Sequence, residues 1–487
     1  MDTDQIAHMG AELKRFLAEF DDCFVRSEPR AHLRTYVAGQ LSDLPRKSIE
    51  PIALAAGTPP RTLQRFLESM AWDHERLRDR VQGIVVRDHA HPRAIGTIDE
   101  SGYPKKGRNT AAVQRQWCGN TGKIDNCVVG VHLGYVAGDF HCLLDSDLYL
   151  PEGWANDWDR RRAAGIPDEV VYRKKTRIAL DQVARALANG LRVEAWTFDE
   201  WYGRDGEFID GLERLGQNYV AEVPSAMTGW LHEPKILVRP TPQQTRKRGR
   251  KPRFPRLARK ALAACEVRNL VTYSRVFQRQ PWVRFHVKDG ENGPMVWEVK
   301  HAPFYPKRPN GLPGPMHGLV VARNVLEPDI LKYFLSNRAA GSPGVLLEDL
   351  VRVAFSRWPI EQCFEQAKNE LGLDHFEVRS WEAIHRHLYV TQLSHLFCAR
   401  VHQRLREKND REPLPHRRAG PRGGVRLGRG PILVRPGPTP EVPRSGRADR
   451  VLPAPQPTSP TVPYENHPTT PSQTRHQCQS VEVLCAR

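Results

Sequence analysis

The sequence lacks several features that would assign a protein to a common class. It contains no run of about 18 apolar residues that could span a membrane. It has no CxxC pair and no cysteine–histidine cluster with zinc-site spacing. The nine cysteines are scattered and odd in number, which is typical of free thiols in a reducing compartment. The first residues, MDTDQIAHMGAELKRF, are acidic and then amphipathic, unlike a secretory signal. We therefore expect a cytoplasmic protein with no membrane partner.

Lysine is absent from the last part of the chain. After Lys408 the sequence is rich in Pro, Gly and Arg and has no hydrophobic periodicity, so it has too little apolar surface to form a core. Arginine without lysine in such a context is typical of a GC-rich gene translated out of frame. We expect residues 409–487 to be a disordered tail, which is either frameshifted or a genuine basic arm.

The charge of the chain is strongly unbalanced. Lys and Arg number 73 against 56 Asp and Glu, a formal net charge of +17. Such an excess favours a polyanionic partner through phosphate contacts and counterion release. Many basic proteins bind no polyanion, so charge alone indicates nucleic acid without establishing it.

The hydrophobic patterns divide the 487 residues into several domains. Residues 1–88 are predicted to be helical, and the segment GTPPRTLQRFLESMAW, with Arg61 and Arg65, has helix-turn-helix character. Both a DNA-binding unit and a helical packing subdomain remain open there. Residues 89–225 begin with three successive strands and then alternate helix and strand, which predicts a mixed sheet with helices on its faces. Residues 226–340 form a β-rich insertion, and residues 341–408 are helical.

A basic stretch, TRKRGRKPRFPR, opens the insertion. Arg248 and Arg250 lie in it, close to prolines that favour an extended backbone. Such a segment can enter a narrow DNA groove, although a solvated loop has the same composition.

Two of the predicted strands run into an aspartate. RAIGTID ends at Asp99, and LRVEAWTFD ends at Asp199. Functional residues gather at the carboxyl ends of strands in α/β sheets. An aspartate after a strand is also a common turn residue or helix cap, so each one alone is a weak indication.

The helical segment FSRWPIEQCFEQAKNELGL carries charged residues at steps of four, four and three. This spacing places Arg357, Glu361, Glu365 and Lys368 on one helix face, whereas Trp358 lies off it, together with Phe364, and is expected to pack into the core. A surface salt-bridge ladder has the same spacing.

Taken in order, these segments resemble the DDE superfamily of insertion-sequence transposases, in the branch with a β-strand insertion before the final glutamate. That branch has a signature of Tyr, two residues, Arg, three residues, Glu, six residues and Lys. Arg357, Glu361 and Lys368 match it, whereas Ala354 stands at the Tyr position. DESGYPKKG, FDEWYGRDGEF and LGLDHFEVRSW are also similar to the family, and the resemblance covers roughly residues 30–400.

The resemblance implies an α/β fold: a ribonuclease-H-like mixed sheet flanked by helices and interrupted by the β-rich insertion. Residues 89–225 and 341–408 would form the two parts of its catalytic core. It implies that Asp99, Asp199 and Glu361 are catalytic and hold two Mg²⁺ (or Mn²⁺) ions, which prefer oxygen ligands. Glu365 is the alternative to Glu361.

The resemblance also implies a DNA partner, namely the terminal inverted repeats of an element and its target DNA. A homodimer on DNA and association with the nucleoid are expected from the family. Arg357 and Lys368 would contact DNA phosphates, and Lys105 and Lys106, directly after the first acid, are further candidates. The expected reaction is cleavage at the element's ends followed by strand transfer of the 3′-hydroxyl.

Three other functions stay open. A ribonuclease-H-like nuclease would cut DNA without joining it. A decayed copy with the abnormal tail would act only as a DNA-binding protein. A glycosidase-type hydrolase would also use paired carboxylates, but aromatic residues are sparse near both aspartates and the positive charge favours a polyanion.

Overall fold

The computed structural model describes residues 3–239, 254–290 and 293–411. Arg248, Arg250 and the tail from residue 412 onward lie outside the described residues. Residues 409–411, predicted to belong to the tail, continue a helix. Within the described ranges, no helix combines the length and apolar character needed to cross a membrane.

Helices form the N-terminal part of the described chain, as the apolar spacing predicted. They are α1 (Thr3–Ala18), α2 (Ser27–Gln40), α3 (Ile49–Ala55), α4 (Pro60–Glu68) and α5 (His74–Asp88). Leu63, Phe66 and Leu67 bury one side of α4. The turn between α3 and α4 contains Gly57 at φ +63°, a conformation that residues with a Cβ rarely adopt. α3 and α4 are therefore two helices joined by a short turn.

A mixed sheet follows, and its first strands have a ribonuclease-H-like order. These strands are β1 (Ile95–Pro104), β2 (Gln114–Cys118), β3 (Lys123–Ala137), β4 (Phe140–Leu148), β5 (Ala195–Phe198) and β6 (Tyr219–Glu222). β1, β3 and β4 pair antiparallel, β5 pairs parallel with β1, and β6 with β5. β2 pairs with the start of β3. The spatial order β4-β3-β1-β5-β6 confirms the predicted fold class.

Local sequence signals explain how these elements end. β3 and β4 form a hairpin whose turn contains Gly138 at φ +62°. The helices between the strands are α6 (Glu152–Ala155), α7 (Trp158–Ala163), α8 (Lys175–Ala188), α9 (Glu200–Gly203) and α10 (Gly206–Arg214). α8 buries Ile178 and Val183 and ends shortly before Gly190 at φ +91°, a common way for a helix to end.

The β-rich insertion extends the same sheet. Its strands are β7 (Thr228–Trp230), β8 (Ile236–Leu237), β9 (Arg256–Leu257), β10 (Cys265–Glu266), β11 (Val283–Gly290), β12 (Gly293–Pro306), β13 (His317–Asn324) and β14 (Leu331–Ser336). Two short helices, α11 (Val267–Tyr273) and α12 (Arg275–Arg279), lie among them. β14 pairs antiparallel with β6, and β13, β12 and β11 follow in order. β8 and β9 form a separate two-stranded sheet.

The last described helices are α13 (Leu347–Phe355), α14 (Trp358–Asn369) and α15 (Trp381–Arg411). The sequence pattern predicted one continuous helix where α13 and α14 lie, and this was wrong. The helix breaks between them because Pro359 has no N–H to bond to the preceding turn. The break leaves Arg357 at the N-cap of α14. α15 lies in the protein interior, where Leu388, Val390 and Leu393 are fully buried.

Candidate active site

Asp99 and Asp199 lie side by side, at the point where the parallel pairing of β1 and β5 ends. Ile98 of β1 is the register partner of Phe198 of β5, so the two aspartates that follow occupy neighbouring positions on parallel strands about 4.8 Å apart. The sequence predicted that β1 ends at Asp99, and this was wrong. The strand continues to Pro104 because its antiparallel partner β3 pairs with it that far. The acid therefore marks the end of the parallel pairing only.

Backbone N–H groups hold both carboxylates. Asp199 is the N-cap of α9, and its Oδ1 accepts a hydrogen bond of 3.1 Å from the N–H of Tyr202. The Oδ1 of Asp99 accepts one of 2.8 Å from the N–H of Glu100. Asp199 therefore has the helix-cap role that its position after a strand also allowed.

Arg357 links the first aspartate to the predicted glutamate. Its Nη1 lies 2.8 Å from Oδ2 of Asp99, and its Nη2 lies 2.7 Å from Oε1 of Glu361. The break before Pro359 places Arg357 one turn ahead of Glu361, so both side chains face the sheet edge. The sequence correctly put these two residues on one face. It did not anticipate that the arginine would pair with the acids.

The surroundings of Asp99 and Asp199 raise the pKa of both carboxyl groups. Burial raises the pKa of Asp99, and although the charge of Arg357 opposes this, the charge of Asp199 adds to it, so the pKa reaches about 7. Burial also raises the pKa of Asp199, with the Tyr202 N–H and Arg357 acting against it and Glu100 adding to it. Carboxyl groups whose pKa is raised by burial and by neighbouring like charges are typical of functional sites.

The structure adds a third carboxylate, Glu222, to the same row. Phe198 is the register partner of Ala221, so Glu222 at the end of β6 is next to Asp199. Its Oε1 accepts a hydrogen bond of 2.8 Å from Lys332. The sequence interpretation missed it, although YVAE is also a buried strand that ends in an acid and would have been found by the signal used for the aspartates.

Glu100 is a second acid that the sequence interpretation missed. Its Oε1 forms an ion pair of 2.9 Å with Lys175. Its Oε2 is buried and has no hydrogen-bond partner within the described part of the chain. The charge of Glu100 acts on both Asp99 and Asp199, so the site holds more negative charge than its neighbouring cations balance.

The predicted DNA-contacting lysines lie in different surroundings. Lys105 donates to the carbonyl oxygens of Asp374 (3.1 Å) and Phe376 (2.7 Å), and burial lowers its pKa to about 8. Its ammonium is therefore engaged with the backbone. Lys106 is exposed. Lys368, on α14, donates to Oδ1 of Asn120 at 3.1 Å.

Two other predictions concern α14. Glu365, the alternative to Glu361, is exposed one turn farther along the helix. Trp358, predicted to pack into the core, is 42% exposed, because it begins the helix at the edge of the site. Phe364 is buried, as predicted.

The donor set suits a hard divalent cation. It consists of carboxylate oxygens, and the raised pKa values and the orphaned Oε2 of Glu100 show an excess of acceptors over donors. Among the residues that the structure describes, no three His, Cys, Asp or Glu side chains are grouped closely enough to hold a metal ion. Asp99 and Asp199 are adjacent, whereas Glu361 joins them through Arg357.

Comparisons with known proteins assign the chain to a family. A family model described as DDE superfamily endonuclease matches residues 19–294. A probable transposase for insertion sequence element IS701 from Microchaete diplosiphon is 33% identical over 190 residues, which are 38% of this chain. The chain spans about half the length of this curated relative, 47%. A solved piggyBac transposase synaptic complex with hairpin DNA is 12% identical, covers 81% of this chain and 78% of its own, and has a TM-score of 0.29.

Proposed function

The chain belongs to the DDE superfamily endonucleases, and on this premise we propose that it is an insertion-sequence transposase that cuts DNA and joins the cut end to a target. The observation that carries the proposal is the adjacent pair Asp99 and Asp199, whose register partners Ile98 and Phe198 bring together two acids 100 residues apart. The 33% identity to a probable transposase supports the same function.

Asp99, Asp199 and Glu361 are proposed to hold Mg²⁺ or Mn²⁺. Two such ions, when bound, activate the attacking oxygen and stabilise the leaving oxygen of an in-line displacement at phosphorus. The two aspartates are suited to this because burial makes their ionised forms unfavourable without a nearby cation. Glu361 reaches the aspartates through the guanidinium of Arg357, so a cation shared by all three acids competes with that arginine.

The proposed reaction uses the site twice. In the first step a water oxygen forms a bond to phosphorus at the element's end, and the bond to the 3′-oxygen breaks, leaving a 3′-hydroxyl. In the second step this 3′-oxygen attacks a target phosphodiester, and the target's own 3′-oxygen leaves and takes up the proton. Arg357 and Lys368 are proposed to hold the flanking phosphates, Arg357 in a bidentate manner.

The N-terminal helices are proposed to bind duplex DNA. Arg61 and Arg65 lie on the exposed side of α4, opposite its buried face. In a helix-turn-helix unit this second helix enters the major groove. The proposed DNA partners are the element's terminal inverted repeats and the target, bound by a homodimer that brings two ends together.

Nicking of a supercoiled plasmid that carries the element's ends tests the proposal. We expect nicking that requires Mg²⁺ or Mn²⁺ and is lost in Asp199→Asn. Asparagine retains the N-cap of α9, so this variant removes the charge and keeps the fold. A second assay supplies a pre-cut end and measures its joining to target DNA.

The two assays separate the alternatives. Nicking together with joining supports the transposase. Nicking without joining of the pre-cut end identifies a nuclease that lacks strand transfer. DNA binding without any nicking identifies a decayed copy, and it refutes the catalytic proposal.

A further inference from the structure

The insertion brings a cation to the rim of the candidate active site. β11 and β12 form a hairpin whose register shifts between His286 and Lys288. The ammonium Nζ of Lys288 lies 3.2 Å from the centroid of the Trp358 ring. Trp358 begins α14, directly after Arg357 and three residues before Glu361. A residue distant in sequence therefore lies beside the proposed third acid.

Packing holds this hairpin in place. Phe285 and Val287 of β11 pack against the apolar cluster that includes Leu350 of α13. The rings of Trp297 on β12 and Phe355 at the end of α13 are 5.0 Å apart. Because α13 leads directly into the break before α14, the position of the hairpin relative to Glu361 is set by the core.

Lys288 differs from the other cations of the hairpin. Arg284 on the same strand forms an ion pair of 2.9 Å with Glu298, which also binds Arg323. Among the described residues, no ion pair joins Lys288 to a carboxylate, and its ammonium rests on an aromatic ring instead. The ring of Trp358 attracts the cation without supplying a full negative charge, and the carboxylate of Glu361 acts on it electrostatically.

A DNA strand that enters this site meets several carboxylates. Asp99, Asp199, Glu222 and Glu361 repel its phosphates, so binding requires cations at the rim. Arg357 is already paired with two of the acids. Lys288 is the cation that the insertion adds to the Glu361 side of the site.

We propose that Lys288 binds a phosphate of the DNA strand that is cut in this site, and that Trp358 positions its ammonium for that contact. This inference rests on the proposed function, because it takes DNA as the substrate. It assigns a role to the insertion: it supplies one of the phosphate contacts beside the third acid. Trp358 acts through Lys288, so it is a positioning residue.

The test measures binding of a fluorescein-labelled DNA duplex with a single-stranded overhang by the full chain in EDTA, as a function of salt. In Lys288→Gln we expect about fivefold weaker binding and a salt slope smaller by about one, the value for one lost phosphate contact. Lys288→Arg should retain the slope. Arg284→Gln, the matched control from the same strand, should leave it unchanged.

The ring is tested in the same assay. Trp358→Phe retains an aromatic face and should keep the salt slope, whereas Trp358→Leu should weaken binding as Lys288→Gln does. A purely structural role for Lys288 predicts a lower melting temperature and the same slope, and that result overturns the proposal. Absence of DNA binding by the unmodified chain overturns it as well.

This assay is independent of the nicking assay because EDTA prevents metal-dependent cleavage. A reduced slope in Lys288→Gln without any nicking by the unmodified chain supports the phosphate contact and refutes the transposase. Normal nicking with an unchanged slope supports the transposase and refutes the phosphate contact.

Discussion

Two largely buried acids, Asp147 and Asp99, differ in the basic groups that contact them. Asp147 on β4 lies between an imidazole and a guanidinium: Nε2 of His385 on α15 is 3.1 Å from its Oδ1, and Nη2 of Arg173 is 3.3 Å from its Oδ2. Asp99 shares one guanidinium, that of Arg357, with Glu361. Asp147 has two basic partners, of which Arg173 also pairs with Asp181, whereas Asp99 has one basic partner and the charge of Asp199 beside it.

The pKa values of these acids shift in opposite directions. Burial tends to raise the pKa of Asp147, but the hydrogen bond and charge of His385 and the charge of Arg173 lower it to about 2. Burial raises the pKa of Asp99 to about 7 in spite of Arg357. Burial alone therefore does not decide the direction in which the pKa of an acid shifts, because the charges and hydrogen bonds around the acid also contribute.

Exchange of Asp99 and of Asp147 for asparagine should have the largest effects, and the two effects should differ in kind. Asp99→Asn is expected to lower nicking by about 10³-fold or more, because a metal ligand is lost, and to leave stability equal or higher at neutral pH. Asp147→Asn should lower the free energy of unfolding by about 3 kcal/mol, because Arg173 and His385 lose a buried anion.

Plasmid nicking and urea unfolding of both variants give the two readouts. Loss of stability in Asp99→Asn, or full nicking by it, would show that Asp99 is a structural acid like Asp147.

A pair of variants on α14 tests which glutamate is the third acid of the site. Glu361→Gln is expected to reduce nicking by about 10²-fold, because the third proposed metal ligand is lost. Glu365→Gln, one turn farther and exposed, should stay near the unmodified rate. Initial nicking rates at saturating Mg²⁺ are compared, and the reverse order would move the third acid to Glu365.

Stability should depend on pH in opposite ways around the two acids. The pKa of Asp147 is lower in the folded chain than in the unfolded one, so its stabilisation is complete above about pH 4 and is lost as pH falls toward about 2. The pKa of Asp99 is raised, so its ionisation costs stability as pH rises from about 4 to about 7.

The difference in unfolding free energy between the unmodified chain and Asp147→Asn should therefore shrink by roughly 2 kcal/mol on acidification through the lower window. Urea titrations at a series of pH values measure it. A difference that is independent of pH would contradict the ion pairs assigned to Asp147.

Removing Arg357 should change metal binding by the smallest amount. Arg357→Gln takes a positive charge away from the acids, so Mn²⁺ is expected to bind about tenfold more tightly, while nicking falls because a phosphate contact is lost. Arg352→Gln is the matched control, since Arg352 on α13 pairs with Glu194 instead.

Calorimetric titration with Mn²⁺ measures this affinity without any reaction. Equal or weaker binding in Arg357→Gln would show that the arginine does not compete with the cation.

Much of the fold was predictable because it follows from local patterns. The mixed sheet, the β3–β4 hairpin and the helix ending before Gly190 are set by strand periodicity and by glycines at positive φ. The break between α13 and α14 was signalled by Pro359 and was overlooked in favour of the helical charge spacing. The division into domains stays a prediction.

The candidate site was predictable in its members more than in its arrangement. Asp99, Asp199 and Glu361 were found because two of them end apolar runs and the third matches a family signature. Lys288 and Glu100 were missed because no local pattern marks them. Lys105 was expected at DNA, but its ammonium is bonded to the backbone at Asp374 and Phe376.

The sequence by itself determined the family and the order of the elements, since both depend on residues close together in the chain. Only the tertiary structure decided which charges meet: that Arg357 stands between Asp99 and Glu361, that Glu222 joins the row, and that Lys288 reaches Trp358. Electrostatic energy depends on distance in space and on burial, and strand register and helix packing determine both.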